Sequence, residues 1–327
     1  MTAWDRTEPP VAFSGSRLGW QDLPRPVRAR IAERAGAEVI AETGATSGFS
    51  PGFASVLELG DGREVFVKAV SSEQNPHSPE LARREIAVAP ALPDDVPAPR
   101  LLWSDDDGTW VVLAFEAVHG RSPVLPWRPD DLVRVLAVLD ALATTAPVEP
   151  HALEPVTATL AEEFTGWRRL ADGPVELVRQ AAGLAGEPGA WALEHLDELV
   201  EREAGWARAA AGDALVHGDL RADNVILDDA TCWLVDWPHA GVGAAWLDLA
   251  LMLPSVAMQG GGDPDVIFRA QRVAADVDDE ALRAVLTALA GYFAHGALQP
   301  APPGIPNLRR FQAAQALATI GWLRALG

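Results

Sequence analysis

The feature that most restricts this chain is a change of hydrophobic period near residue 118. Ahead of it, "EVIAETG", "FASVLEL" and "REVFVKAV" alternate and are rich in Val and Phe, which predicts half-buried strands. The "GDG" at 60–62 joins the last two as a hairpin, and "RLLWSDDDGTWVVLAFEAV" (100–118) predicts two more strands around an acidic turn. Two helices are expected among them. One is "PVRARIAERAG" (26–36), and the other is "SPELARREIAVAPAL", opened by Ser78 and Pro79. From 130 the period turns helical, over 130–145, 157–170, 175–185 and 189–210, and again from 244 to the end. The chain is therefore expected to be α+β. A β-rich lobe spans 1–118, with an irregular arm over 1–25, and a mostly helical lobe spans 119–327, hinged at "HGRSPVLPWRPDD". At 327 residues there is room for two lobes sharing a cleft.

Composition narrows the classes. With 49% hydrophobic and 22% charged residues the chain is of the soluble globular kind. A formal net charge of −20 repels nucleic acid and anionic lipid, so neither is expected as a partner. That acidity serves solubility or lines a pocket for a cationic substrate. Cys232 is the only cysteine, which precludes an intrachain disulfide and favours a reducing compartment. The first residues lack a basic start followed by an apolar stretch, and no apolar run reaches membrane-span length. A cytoplasmic protein is expected.

The helical half is interrupted by "LVHGDLRADNVIL" (215–227), where a His, two Asp, an Arg and an Asn sit between apolar runs. Polar groups on a core-anchored loop need partners or a task. A second singular feature is Lys68 in "EVFVKAV": among 26 basic residues it is the one lysine. Lys is a compact point charge and Arg a planar fork, so a site written only as Lys is a tight one. Upstream lies a glycine-rich turn, "GATSGFSPGFASV", with Gly44, Gly48 and Gly52; downstream the expected helix offers Glu80 and Glu85. A lysine on a strand, a glycine turn before it and a glutamate on the next helix are the parts of a phosphate cradle. The same turn contains "GFSPG" (48–52), a match to the G-x-S-x-G elbow of serine hydrolases through Ser50. That elbow requires a following helix, whereas "FASVLEL" predicts a strand.

"HGDLRADN" followed by "LVDW" resembles the catalytic signature of the aminoglycoside phosphotransferase and choline kinase group, relatives of the protein kinases. The likeness covers roughly residues 36 to 255, with glycine turn, "VFVK", "HGDLRADN" and "LVDW" in that order. It implies a two-lobed protein-kinase-like fold with a small antiparallel β-rich lobe and a larger helical one. It implies Asp219 as the residue that orients the acceptor hydroxyl and takes its proton, with Asn224 and Asp236 as ligands of Mg2+. Lys68, held by Glu85 in preference to Glu80, would fix the phosphates of ATP or GTP beneath Gly48, Ser50 and Gly52. "LAFEAVHG" (113–120) resembles the segment that meets the nucleotide base through its backbone, which puts Phe115, Glu116 and Val118 at the donor site. Arg221 either touches the terminal phosphate or stiffens the loop through a salt bridge. His217 is expected to support the loop, and Asp248 to cap a helix or accept loop N–H groups. Asp223 departs from the small residue usual in the group, without explanation from sequence.

The acceptor is expected to be a small hydroxyl-bearing molecule, an aminoglycoside or other antibiotic included, rather than a protein. Only 11 residues separate Asp236 from Asp248, and "PHAGVGAAWL" offers no Ser, Thr or Tyr, so a peptide-docking segment has no room. Acidic stretches at 194–203 and 276–280 favour a cationic acceptor, while Arg309, Arg310 and Arg324 oppose it; some of the 12 Trp would line the pocket. Asp105 to Asp107 are expected as an exposed turn, not a metal site. Two alternatives stand beside this function: a catalytically silent kinase-like binding protein, and the Ser50 hydrolase.

Overall fold

A computed structural model describes residues 17–45, 51–149, 152–174 and 187–327. One sheet holds β1 (Arg17–Leu18), β2 (Val39–Gly44), β3 (Gly52–Leu59), β4 (Glu64–Ser71), β5 (Leu101–Asp106) and β6 (Trp110–Glu116). Its order is β1-β3-β4-β6-β5, and β2 shares the β1 edge of β3. All pairings are antiparallel except β1 with β3, which is parallel at Arg17↔Gly52 and Leu18↔Phe53. The alternation in "REVFVKAV" becomes two cores. Val65, Val67 and Ala69 pack with Val27 and Ile31 of α1 (Arg25–Ala35). Phe66 and Val70 face the other way with Leu113, Phe115 and Ala82 of α2 (Ser78–Val88). Covering both faces explains why these strands are so apolar.

Several expectations are corrected. The irregular arm over 1–25 is, from residue 17, a sheet edge followed by the start of α1; a strand of two residues is too short for a period to show. The acidic run at 105–107 does lie at the exposed β5–β6 turn, with Asp105 and Asp106 closing β5, but it is ion-paired rather than free. Arg30 of α1 bonds Asp105 and Asp107, each at 2.7 Å, and Arg83 of α2 bonds Asp106 at 2.8 Å, tying both helices to the sheet. The stretch 157–170 splits into α4 (Val156–Thr159) and α5 (Gly166–Ala171). The stretch 189–210 splits into α6 (187–194), α7 (Leu196–Glu203) and α8 (Trp206–Ala209). The buried carboxylate of Glu203 accepts the Trp167 and Arg168 N–H groups at 2.9 and 3.1 Å, capping the start of α5. The expected helix at 175–185 lies outside the described residues.

Between β6 and α3 (Pro129–Leu142) the chain crosses from the sheet into the helical region. There β7 (Ala214–Val216) pairs with β10 (Gly241–Gly243), and β8 (Val225–Leu227) with β9 (Cys232–Leu234). The loop 217–224 is thus anchored at both ends, as its apolar flanks suggested. Helices α9 (Leu247–Met258), α10 (Pro264–Ala270), α11 (Asp279–Ala297) and α12 (Leu308–Ala325) follow, and α9 is buried nearly all round. Helices α5 and α11 cross on glycines: a Cβ on Gly166 would collide with the Gly291 carbonyl. The fold is the two-part kinase-like one, an antiparallel-rich sheet followed by a helical region. Among the described residues no helix is long and apolar enough to cross a membrane.

Candidate active site

Lys68 stands in the middle of β4, between Ala54 and Leu113 in register. Its ammonium is 2.9 Å from both carboxylate oxygens of Glu85 on α2 and 3.0 Å from Asp236 Oδ1, which comes from the helical region. Glu80 is instead exposed and bonded to Arg84. Burial alone would lower the Lys68 pKa; the Asp236 and Glu85 carboxylates outweigh it and hold the ammonium above its ordinary value. Burial would likewise raise Asp236, but Lys68 and Arg221 bring it down to about 2. Glu85, the more enclosed partner, is raised by burial. One cation thus ties a strand, a helix and the opposite side of the cleft.

Asp236 has a left-handed backbone, φ 70, unusual for a residue with a side chain. The strain turns its carboxylate to Lys68 just as the backbone enters Trp237, whose N–H points at Glu85, 3.4 Å away. Across from it, Asn224 Nδ2 donates to the Asp219 carbonyl at 2.7 Å. This leaves the Asn224 side-chain oxygen as the end open to a cation. Among the described residues no group of three His, Cys, Asp or Glu could hold a metal ion. The two oxygen donors of Asn224 and Asp236 suit Mg2+ completed by phosphate and water.

The loop is rigid for identifiable reasons. Asp248, at the start of α9, accepts the N–H groups of His217 and Gly218 at 2.7 and 2.9 Å. His217 donates from Nε2 to the Val235 carbonyl at 3.1 Å and accepts the Asp219 N–H on Nδ1. This arrangement fits a neutral ring, and burial lowers its pKa to about 4. Gly218 takes φ 82, and a Cβ there would lie 2.6 Å from the His239 carbonyl oxygen. Arg221 grips Asp223 with two bonds of 3.0 Å and also bonds Asp219. Asp223, unexplained from sequence, is therefore the residue that orients Arg221. Burial raises Asp219, against the opposing pull of Arg221.

Other expected donor residues divide. Phe115 lies on the Lys68 face, its ring centroid 5.6 Å from Nζ. Glu116 is engaged at the β5–β6 corner, where Arg100 bonds its carboxylate and its N–H donates to the Arg100 carbonyl at 3.0 Å. Glu116 and Val118 border a cavity of about 500 Å³ that also touches Trp233 but none of Lys68, Asp219 or Asp236. Gly48 and Ser50 lie outside the described residues. Gly52 onward is strand, so the segment after Ser50 does not enter the helix a hydrolase elbow needs.

The sequence did not single out two residues that reach this centre. Tyr292, the only tyrosine, lies on α11; burial, with the Asp219 carboxylate nearby, pushes its phenol up, and it bonds Gln312 of α12. From α12, the Phe311 ring also lies 5.8 Å from the Arg221 guanidinium. The second missed residue is Arg17 of β1, which bonds the Ala45 carbonyl at 3.4 Å. A lone tyrosine and an arginine before the first long strand give no local signal.

A strand lysine paired to a helix glutamate, facing an Asp/Asn loop and a further aspartate across a cleft, defines the kinase-like class. The chain belongs to the phosphotransferase enzyme family, whose profile matches residues 46–289. No curated protein matches it by sequence. Among solved structures it resembles a thermostable mutant of an aminoglycoside phosphotransferase in ternary complex with ADP and hygromycin B. Identity is 18%, coverage 92% of this chain and 97% of that one, and the TM-score 0.56. It also resembles a choline/ethanolamine kinase family protein from Mesorhizobium loti, at 16% identity, 92% and 93% coverage and TM-score 0.52. At such identities the likeness establishes the fold.

Proposed function

We propose that this chain is a small-molecule O-phosphotransferase that moves the terminal phosphoryl group of ATP or GTP to a hydroxyl. The observation that carries the reading is the convergence of Lys68, Glu85 and Asp236 with the Asp219–Asn224 loop in one cleft. Phosphoryl transfer asks mainly for positioning and charge stabilisation, and each residue has a part in that. Lys68 holds the α- and β-phosphates, Glu85 fixes its direction, and Asp219 orients the acceptor hydroxyl and accepts its proton late. Asn224 and Asp236 would hold Mg2+, and the ion would supply positive charge at the phosphate. Arg221 keeps Asp219 in place while Asp223 keeps Arg221. The donor lobe is residues 1–118 and the acceptor lobe residues 119–327, with the acceptor seated beside Tyr292 and α12.

Three of the acidic residues that favoured a cationic acceptor are engaged elsewhere. Glu203 is turned inward on α5, and Asp279 and Glu280 begin the helix that carries Tyr292 twelve residues later. That spacing corresponds to about 18 Å along a helix. The test is mass gain of one phosphate in a panel of hygromycin B, streptomycin, choline, ethanolamine and neutral sugars, with ATP or GTP and Mg2+. Asp236→Asn should abolish at least 99% of transfer, with thermal unfolding within a few degrees of the parent. Full transfer in that variant, or a parent that consumes no nucleotide with any acceptor, sinks the reading.

A further inference from the structure

We propose that Arg17 is a ligand of the donor's terminal phosphate, supplied by a strand outside the family-matched segment. The inference rests on the phosphotransferase reading and adds a residue to its donor site. The register decides which way Arg17 faces. It pairs with Gly52 of β3, while Leu18 pairs with Phe53. Leu18 and Phe53 pack into the core on the α1 side. Adjacent strand residues point to opposite faces, so Arg17 points to the other face. Two residues along β3 from Gly52 is Ala54, whose partner across the ladder is Lys68. Directly paired residues share a face. Arg17 and Lys68 therefore stand on the same side of the sheet, and Lys68 is the side chain that reaches Asp236.

Charge agrees with this placement. Burial lowers the Arg17 pKa, and the carboxylates that act against it are Asp236 and Asp223, both across the cleft. Those are the residue that meets Lys68 and the residue that orients Arg221 beside Asp219. Lys68 meets Asp236, and Arg221 meets Asp219 and Asp223, so the sheet face that Arg17 shares with Lys68 is the one turned to the metal ligand and the acceptor base. In the phosphotransferase reading the donor's terminal phosphate lies between those two residues. Arg presents donors in a fixed fork that matches phosphate oxygens.

The test measures AMP-PNP and ADP binding by titration calorimetry with Mg2+, in the parent, Arg17→Ala, Arg17→Lys and Leu18→Ala. Leu18→Ala loosens the same strand without touching the guanidinium. The proposal expects Arg17→Ala to weaken AMP-PNP at least tenfold and ADP less than twofold, with Arg17→Lys between and Leu18→Ala close to the parent. Unchanged AMP-PNP affinity in Arg17→Ala overturns it. So does an equal loss for both nucleotides, or the same loss in Leu18→Ala, since either would make Arg17 a latch between the two sides of the cleft. A parent that binds neither nucleotide would instead fail the phosphotransferase reading itself.

Discussion

Lys68 has three carboxylate oxygens within 3.0 Å, an arrangement an ammonium can meet with its three donors in different directions. A guanidinium keeps the charge but spreads it over a plane, so Lys68→Arg should raise the KM for nucleotide and lower kcat/KM at least tenfold. Steady-state kinetics at saturating acceptor checks this; parental values would make the lone lysine incidental. The His217–Asp248 contact predicts an unusual response to acid. His217 falls from 6.5 to about 4 on folding, so its contribution to stability is lost as pH drops from about 6.5 toward 4. Asp248 rises from 3.8 to about 6, so its contribution grows as pH drops from about 6 toward 3.8. The two slopes nearly cancel. Asp248→Asn removes one of them, and between pH 6.5 and 4.5 it should lose about 2 kcal/mol more than the parent in urea unfolding. Parallel pH profiles would show that the two groups do not titrate as described.

Elements separate what could be foreseen from what could not. Strands β3, β4 and β6 and helix α2 were legible because each repeats one period long enough to show which side is buried. The 217–224 loop was legible because its residue types and spacing match the motif on which the family resemblance rests. Asp248 was legible in kind, as an acidic residue opening an apolar helix. Three features were hidden, each because it depends on a partner far away in the chain. Asp223 makes sense only once Arg221 is seen between two carboxylates. Glu203 is buried inside a helical stretch because the start of α5 needs a cap. The α5–α11 crossing depends on two glycines that look like weak helix residues in isolation. Gly166→Ala should cost roughly 2–4 kcal/mol, because its methyl must displace helix backbone rather than a side chain. Thermal and urea unfolding would register this, and an unchanged midpoint would mean the helices can part freely.

Seen whole, the molecule brings both ends of its described chain to one place. Residues matched by the family profile end at 289, yet Tyr292, Phe311 and Gln312 lie beyond that limit and Arg17 lies before its start at 46. The family-matched segment carries the Lys68, Asp219 and Asp236 cluster, and residues on both sides of that segment add to its surroundings. Writing its cations almost wholly as arginine also gives the chain a built-in clock. A lysine-specific endoprotease has one possible cleavage point, after residue 68, in a strand held on both edges by β3 and β6. Cutting there requires the sheet to open, so the appearance of two fragments, 1–68 and 69–327, follows that opening: its rate at high protease, its equilibrium population at low. Magnesium nucleotide should lengthen the interval in proportion to how firmly it draws the cleft together, and a protease thereby becomes a gauge of donor binding that needs no acceptor at all.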